Sequence, residues 1–128
     1  LSEAGYPILG DLKFYTKNEV DYVKEMLLAH RTLEFDSIFA CNDLLAVGAL
    51  KYAKARGIRI PEELSVTGYN NSAAALYCEP ELTSVDNGVR QLCGNAVENL
   101  VKILQGQQEI GQDNRFACEI VKRCTTDF

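Results

Sequence analysis

Apolar positions recur along this chain with two periods. Val20, Val23 and Leu27 share a helical face. They follow Thr16-Lys17-Asn18-Glu19, the S/T-x-x-E form in which hydroxyl and carboxylate satisfy orphan amides reciprocally, so the pattern predicts a helix from about 18 to 31. Leu45, Ala46, Ala49, Leu50 and Ala53 form a second arc with Lys51 and Lys54 opposite, Asn42 and Asp43 able to cap its start, and Gly57 as its left-handed stop. The third series is the broadest: Val89, Leu92, Cys93, Ala96, Val97, Leu100, Val101 and Leu104, closed by Gly106. Between the helices lie short strand candidates at residues 12–15, 35–41 and 64–68, and two more, 82–85 and 116–121, flank the last helix. Residues 60–63 read as a turn and 105–114 as a polar loop. Strands alternating with helices require right-handed crossovers, so the expected fold class is α/β, a three-layer αβα arrangement around a mostly parallel sheet.

Composition narrows the function classes. With 47% hydrophobic and 24% charged residues the chain sits in the globular range. Its longest apolar run, residues 44–50, is far short of the roughly 20 needed to span a bilayer. Thirteen Lys plus Arg against eighteen Asp plus Glu give a net charge of -5, which disfavours direct contact between this chain and a phosphate backbone. The five cysteines, Cys41, Cys78, Cys93, Cys118 and Cys124, contain no C-x-x-C pair, so reduced and mostly buried thiols are expected, consistent with a cytoplasmic protein. The chain opens Leu1-Ser2-Glu3 with neither signal peptide nor initiating Met, and is expected to be a fragment.

Candidate chemistry concentrates where an open parallel sheet binds ligands, outside the carboxyl ends of its strands. Three such ends are Tyr15-Thr16-Lys17-Asn18, Cys41-Asn42-Asp43 and Tyr69-Asn70-Asn71-Ser72. Converging short amides and carboxylates bridge hydroxyl pairs, which suits a carbohydrate or nucleoside. Helix capping alone also explains Asn42 or Asp43, a turn explains Asn70 to Ser72, and Phe39, Tyr69 and Tyr77 can equally be packing residues. The lone His30 sits where a helix C-terminus belongs. Neither a G-x-S-x-G elbow nor a G-x-G-x-x-G or P-loop string occurs, so no catalysis, cofactor or metal site is expected.

Three longer strings add a resemblance. Residues 35–50 (FDSIFACNDLLAVGAL), 57–69 (GIRIPEELSVTGY) and 80–85 (PELTSV), with Arg123-Cys124-Thr125 as an R-x-[ST] ending, resemble the effector domain of LacI/GalR-type transcriptional regulators. The resemblance covers nearly the whole chain and implies a partial periplasmic-binding-protein type I-like fold, mainly the C-terminal lobe. Residues 1–78 would form that lobe, 79–112 a hinge crossover and a segment of the N-terminal lobe, and 113–128 the return strand and tail. It also implies a small polar effector held by Asn42, Asp43, Asn70 and Phe39, a homodimer, and DNA contact only through a helix-turn-helix headpiece outside this chain. A sugar-binding component of a transport system is the alternative with the same fold. One departure stands out: the family usually carries an acid where this chain has Asn70, which replaces a charge by a group that both donates and accepts.

Overall fold

The structure, a computed structural model of the 128-residue chain, describes residues 12–30, 35–106 and 116–127. Its elements run α1 (Val20–Ala29), β1 (Ser37–Phe39), α2 (Asp43–Arg56), β2 (Ser65–Tyr69), α3 (Ala73–Tyr77), β3 (Thr83–Asp86), α4 (Val89–Leu104) and β4 (Glu119–Val121). The sheet order is β1-β2-β3-β4; the first three strands are parallel and β4 is antiparallel to β3, with Ser84 opposite Val121. The α/β class expected from the alternation is therefore the one observed.

α2 forms the centre of the packing. Asn42 caps it, its side-chain oxygen accepting from Leu45 N at 2.9 Å, and Gly57 ends it with φ 70°, a conformation that glycine adopts without steric cost. Ala46, Ala49, Leu50 and Ala53 are buried together with Leu64, Val66 and Leu82 in one core. α1 lies across α2 with Val23 and Leu27 buried. Gly48 allows the approach, since a Cβ there would lie 2.6 Å from Val23 Cβ and 2.7 Å from the Val20 carbonyl.

Three expectations change. The capping box does not form: α1 starts at Val20 behind Glu19, which makes no side-chain cap, and Thr16 donates to the Lys17 carbonyl instead. Thr16 stands three residues before the cap position, too far back to reach the first-turn amides. Residues 12–15 are not a strand. Phe14 packs against the core instead of pairing in a ladder, and with Phe35, Ile38, Phe39 and Leu45 it lines a hollow of about 360 Å³ beside β1. Four of the five cysteines are exposed, Cys78 alone being half-buried; Cys93 belongs to α4, which buries none of its residues. Residue 31, residues 1–11 and most of the polar loop at 105–114 lie outside the described residues.

The tail closes the sheet in a way periodicity does not announce. β2 and β3 begin their pairing at Thr67 and Thr83. Just before that point Thr125 stands between them: its carbonyl accepts from Val66 N at 2.9 Å, its hydroxyl donates to Val66 O at 2.6 Å, and the same hydroxyl accepts from Thr83 N at 2.9 Å. Thr125 is wholly buried. Replacing Thr125 with Val keeps the shape but leaves Val66 O and Thr83 N unpaired, so we expect a loss of about 2–4 kcal/mol in urea denaturation, with Thr125→Ser costing under about 1 kcal/mol.

Candidate functional site

The turns after β1 and β2 place the sequence-derived candidates in two neighbouring groups. Behind β1, Asn42 holds α2 through Oδ1 and donates from Nδ2 to Asn18 Oδ1 at 2.9 Å, which ties the approach to α1 to the same corner. Phe39, the last residue of β1, is 63% exposed, and with Tyr15, Thr16 and Cys41 it borders the hollow beside β1. Behind β2, Asn70 is exposed and lines a second, polar cavity of about 500 Å³ with Asn71, Asp86, Gly88, Arg90 and Glu119. Its backbone N–H donates to Val85 O at 2.9 Å, and its Oδ1 accepts from Asn87 Nδ2 at 3.0 Å.

Asp43 joins the two groups from beneath. It is 1% exposed, and both carboxyl oxygens are engaged: Oδ2 accepts from Ser72 N at 2.6 Å and Oδ1 from Ser84 Oγ at 2.6 Å. Ser84 Oγ in turn accepts from Asn71 N at 3.0 Å. One side chain at the start of α2 thus fixes the loop after β2 and the middle of β3. Gly68 leaves the necessary room, because a Cβ there would collide with Asp43 Oδ1 and stand 2.8 Å from Leu82 Cδ2. Asp43 therefore forms the floor of the site, while Asn42, Phe39 and Asn70 stand at its surface.

Several contributors carried no sequence signal as site residues. Ser84, Asp86 and Asn87 look like ordinary strand-end polar residues, and although Asn71 lies in one of the candidate strand ends, only the tertiary fold reveals its partners. Asn71 Nδ2 donates to Asp86 Oδ2 at 3.0 Å, and Gly88 N donates to Asp86 Oδ1 at 2.8 Å. These two donors, the Asn71 amide first, hold the Asp86 carboxyl below the usual carboxylate range against a smaller effect of desolvation. Asn87 Oδ1 is the one buried side-chain polar atom among the described residues without a partner. Burial pushes the Cys78 thiol up, the opposite of nucleophile activation. His30 is the exposed C-cap of α1, its ring edge-on to Phe14 at 5.1 Å between centroids. Among the described residues no group of three or more His, Cys, Asp or Glu could hold a metal ion, and no helix is long and apolar enough to cross a membrane.

A mostly parallel sheet whose strand ends carry short amides over a buried carboxyl, beside a polar cavity, is an arrangement that α/β folds use to bind small ligands. The profile of the periplasmic binding protein-like domain matches residues 3–126, and the chain belongs to that family. A helix-turn-helix-type transcriptional regulator of Lachnoclostridium phytofermentans is 34% identical over 124 residues, 95% of this chain and 37% of that protein. The transcriptional repressor CytR of Escherichia coli is 33% identical over 91 residues, 70% of this chain and 26% of the repressor. The chain thus spans about a third of the length of the relatives it matches. Among solved structures, a LacI-type transcription regulator from Bifidobacterium animalis subsp. lactis superposes with a TM-score of 0.88 at 28% identity, covering 99% of this chain and 46% of that one. The CelR regulator in complex with cellobiose gives 0.85 at 27% identity, covering 97% and 38%.

Two outcomes follow from the geometry. Asp43→Asn turns one acceptor into a donor facing Ser72 N or Ser84 Oγ, so urea denaturation should reveal a loss of about 2–3 kcal/mol, less than additive with Ser84→Ala because both act on one bond. The depressed carboxyl of Asp86 contributes stability above its unfolded pKa, and that contribution disappears as the pH falls through the lower folded value. A carboxyl-carbon NMR titration should find the Asp86 midpoint moving upward in Asn71→Ala.

Proposed function

We propose that this chain is the ligand-sensing, non-catalytic part of a bacterial LacI-type transcriptional regulator. The observation that carries the reading is a match to such regulators over nearly its whole length, in sequence and in structure. The same comparisons favour the regulator over a transport component, since the similar proteins quoted above are named as regulators. The protein works in the cytoplasm as a homodimer and reaches DNA through a helix-turn-helix headpiece outside this chain.

In this reading residues 1–78 and 113–128 form one lobe, whose sheet also takes in β3 between β2 and β4, while the rest of 79–112 carries the crossover and α4 into the other. α4 supports it: Val89, Leu92, Val97, Leu100, Val101 and Leu104 are exposed, and the helix has no buried residue, as suits an element whose packing partners lie in the rest of the protein. The effector is a small uncharged polar molecule, a sugar or nucleoside. Asn42 and Asn70 bond its hydroxyls, Phe39 stacks on its ring, and Asp43 acts from below by holding the Ser72 and Ser84 segments in place. A carboxamide at Asn70 serves an effector that offers an acceptor as well as a donor, which a carboxylate would reject. The CelR structure contains cellobiose, and two further LacI-family neighbours contain lactose and ribose. Effector contact favours one arrangement of the lobes, and the dimer transmits that preference to the headpieces.

The test is a thermal-shift screen of the full-length protein against ribose, lactose, cellobiose, adenosine and cytidine, followed by fluorescence anisotropy on DNA from upstream of its own gene. At least one compound should raise Tm and change DNA affinity by about tenfold. Phe39→Ala and Asn70→Ala should each weaken that compound by about 1 kcal/mol, roughly fivefold in Kd. A protein that binds a sugar without any DNA affinity would favour the transport reading, and turnover of a glycoside would overturn the non-catalytic one.

A further inference from the structure

Asn71 is engaged at its backbone N–H and at both polar atoms of its side chain, by three different residues. Its backbone N–H donates to Ser84 Oγ at 3.0 Å, its Nδ2 donates to Asp86 Oδ2 at 3.0 Å, and its Oδ1 accepts from Arg123 NH2 at 2.6 Å. Each neighbour is itself held. Asp86 takes the N–H of Gly88, the residue before α4, and Arg123 is fixed by NH1 on Leu82 O at 2.7 Å and by its backbone N–H on Thr83 Oγ1 at 2.9 Å. The amide orientation is dictated, because turning it over would set two donors against the guanidinium and two acceptors against the carboxylate. Only a carboxamide serves both neighbours: a carboxylate would repel Asp86, and an amine would repel Arg123.

The backbone of this turn also needs support. Asn70 has φ 97° and Asn71 φ 46°, two consecutive left-handed residues that are not glycine. Asn tolerates that region better than most residues, yet surroundings must hold it there. Asn70 has contacts to Val85 O and Asn87, whereas Asn71 has the charged pair.

We infer that Asp86 and Arg123 are positioning residues that clamp Asn71, and through it present Asn70 to the effector while tying the loop after β2 to both chain passages beside it, the exit from β3 into α4 and the return through β4. The inference rests on the proposed function for the effector and for the lobes, but the clamp itself can be measured without either. A loop anchored to both passages cannot follow a ligand without pulling on them, so effector contact and passage geometry become one equilibrium. Arg123 thereby gains a role at the site although it lies at the far end of the chain.

A polarity swap tests the clamp in the full-length protein. Asn71→Asp sets two carboxylates face to face, and adding Asp86→Asn restores the pattern in reverse, with the carboxamide now donating to residue 71 and accepting from Gly88. In hydrogen-exchange mass spectrometry without ligand, Asn71→Asp should speed exchange in segments 69–72 and 88–92 by about tenfold while residues 45–53 of α2 stay as in the wild type, and the double variant should return to within about twofold. Arg123→Gln should loosen 69–72, with Arg123→Lys intermediate. Should Asn71→Asp not fold, Asp86→Asn alone, which faces Gly88 N or Asn71 Nδ2 with a donor, should loosen the same two segments. Equal exchange in 88–92, a uniform rise that includes α2, or no recovery in the double variant overturns the clamp. On whichever compound of the five-member screen binds the wild type, the single variant should raise Kd about tenfold and the double recover it; recovered exchange without recovered affinity refutes the positioning role. If none of the five binds the wild type, the effector reading fails while exchange still decides the clamp.

Discussion

A buried carboxyl at the first residue of α2 organises the loops at the carboxyl ends of the strands. Asp43 is buried, and its two oxygens are spent on Ser72 N and Ser84 Oγ. Burying such a group is costly unless each lone pair finds a donor, so the positions of the loop after β2 and of β3 are tightly specified. Gly68 belongs to the same constraint, being the position on β2 where any side chain would displace the carboxyl. The surface above inherits its geometry from this contact: Asn42 by adjacency, Asn70 through the loop, and Asn71 through Ser84.

The C-terminal residues extend the same logic. Arg123, Thr125 and Thr126 meet residues 82 and 83, and Thr125 also meets Val66, so polar groups of the segment after β4 complete hydrogen bonding that β2 and β3 leave open at their start. Backbone amides buried at that point have no water to turn to, and a hydroxyl is the smallest group that both donates and accepts.

Local pattern made the helices and the order of elements legible. α2 and α4 followed from spacing with caps at Asn42 and Gly57 and a stop at Gly106, because amphipathic periodicity and left-handed stops are properties of a few neighbouring residues. The strand at 12–15 and the cap at Thr16 failed for a related reason: both patterns are short, and packing of Phe14 beside the hollow and the actual start of α1 at Val20 overrode them. The exposure of Cys93 was equally hidden, since it depends on what covers α4. Of the candidate site residues, the placement of Phe39, Asn42 and Asn70 at strand ends was legible, because it follows from the order of elements. The inward use of Asp43 was not, for nothing local distinguishes a carboxyl that meets a ligand from one that meets a serine 41 residues away. The partners of Asn71 lie 15 and 52 positions away, beyond any spacing rule.

The most direct test of the account is a crystal structure of the full-length protein with whichever sugar or nucleoside stabilises it. The account predicts the ligand against Phe39, Asn42 and Asn70, with Asp43 still bonded to Ser72 N and Ser84 Oγ. A ligand bound away from the carboxyl ends of β1 and β2, or one that draws Asp43 out of its serine contacts to coordinate it directly, would contradict it.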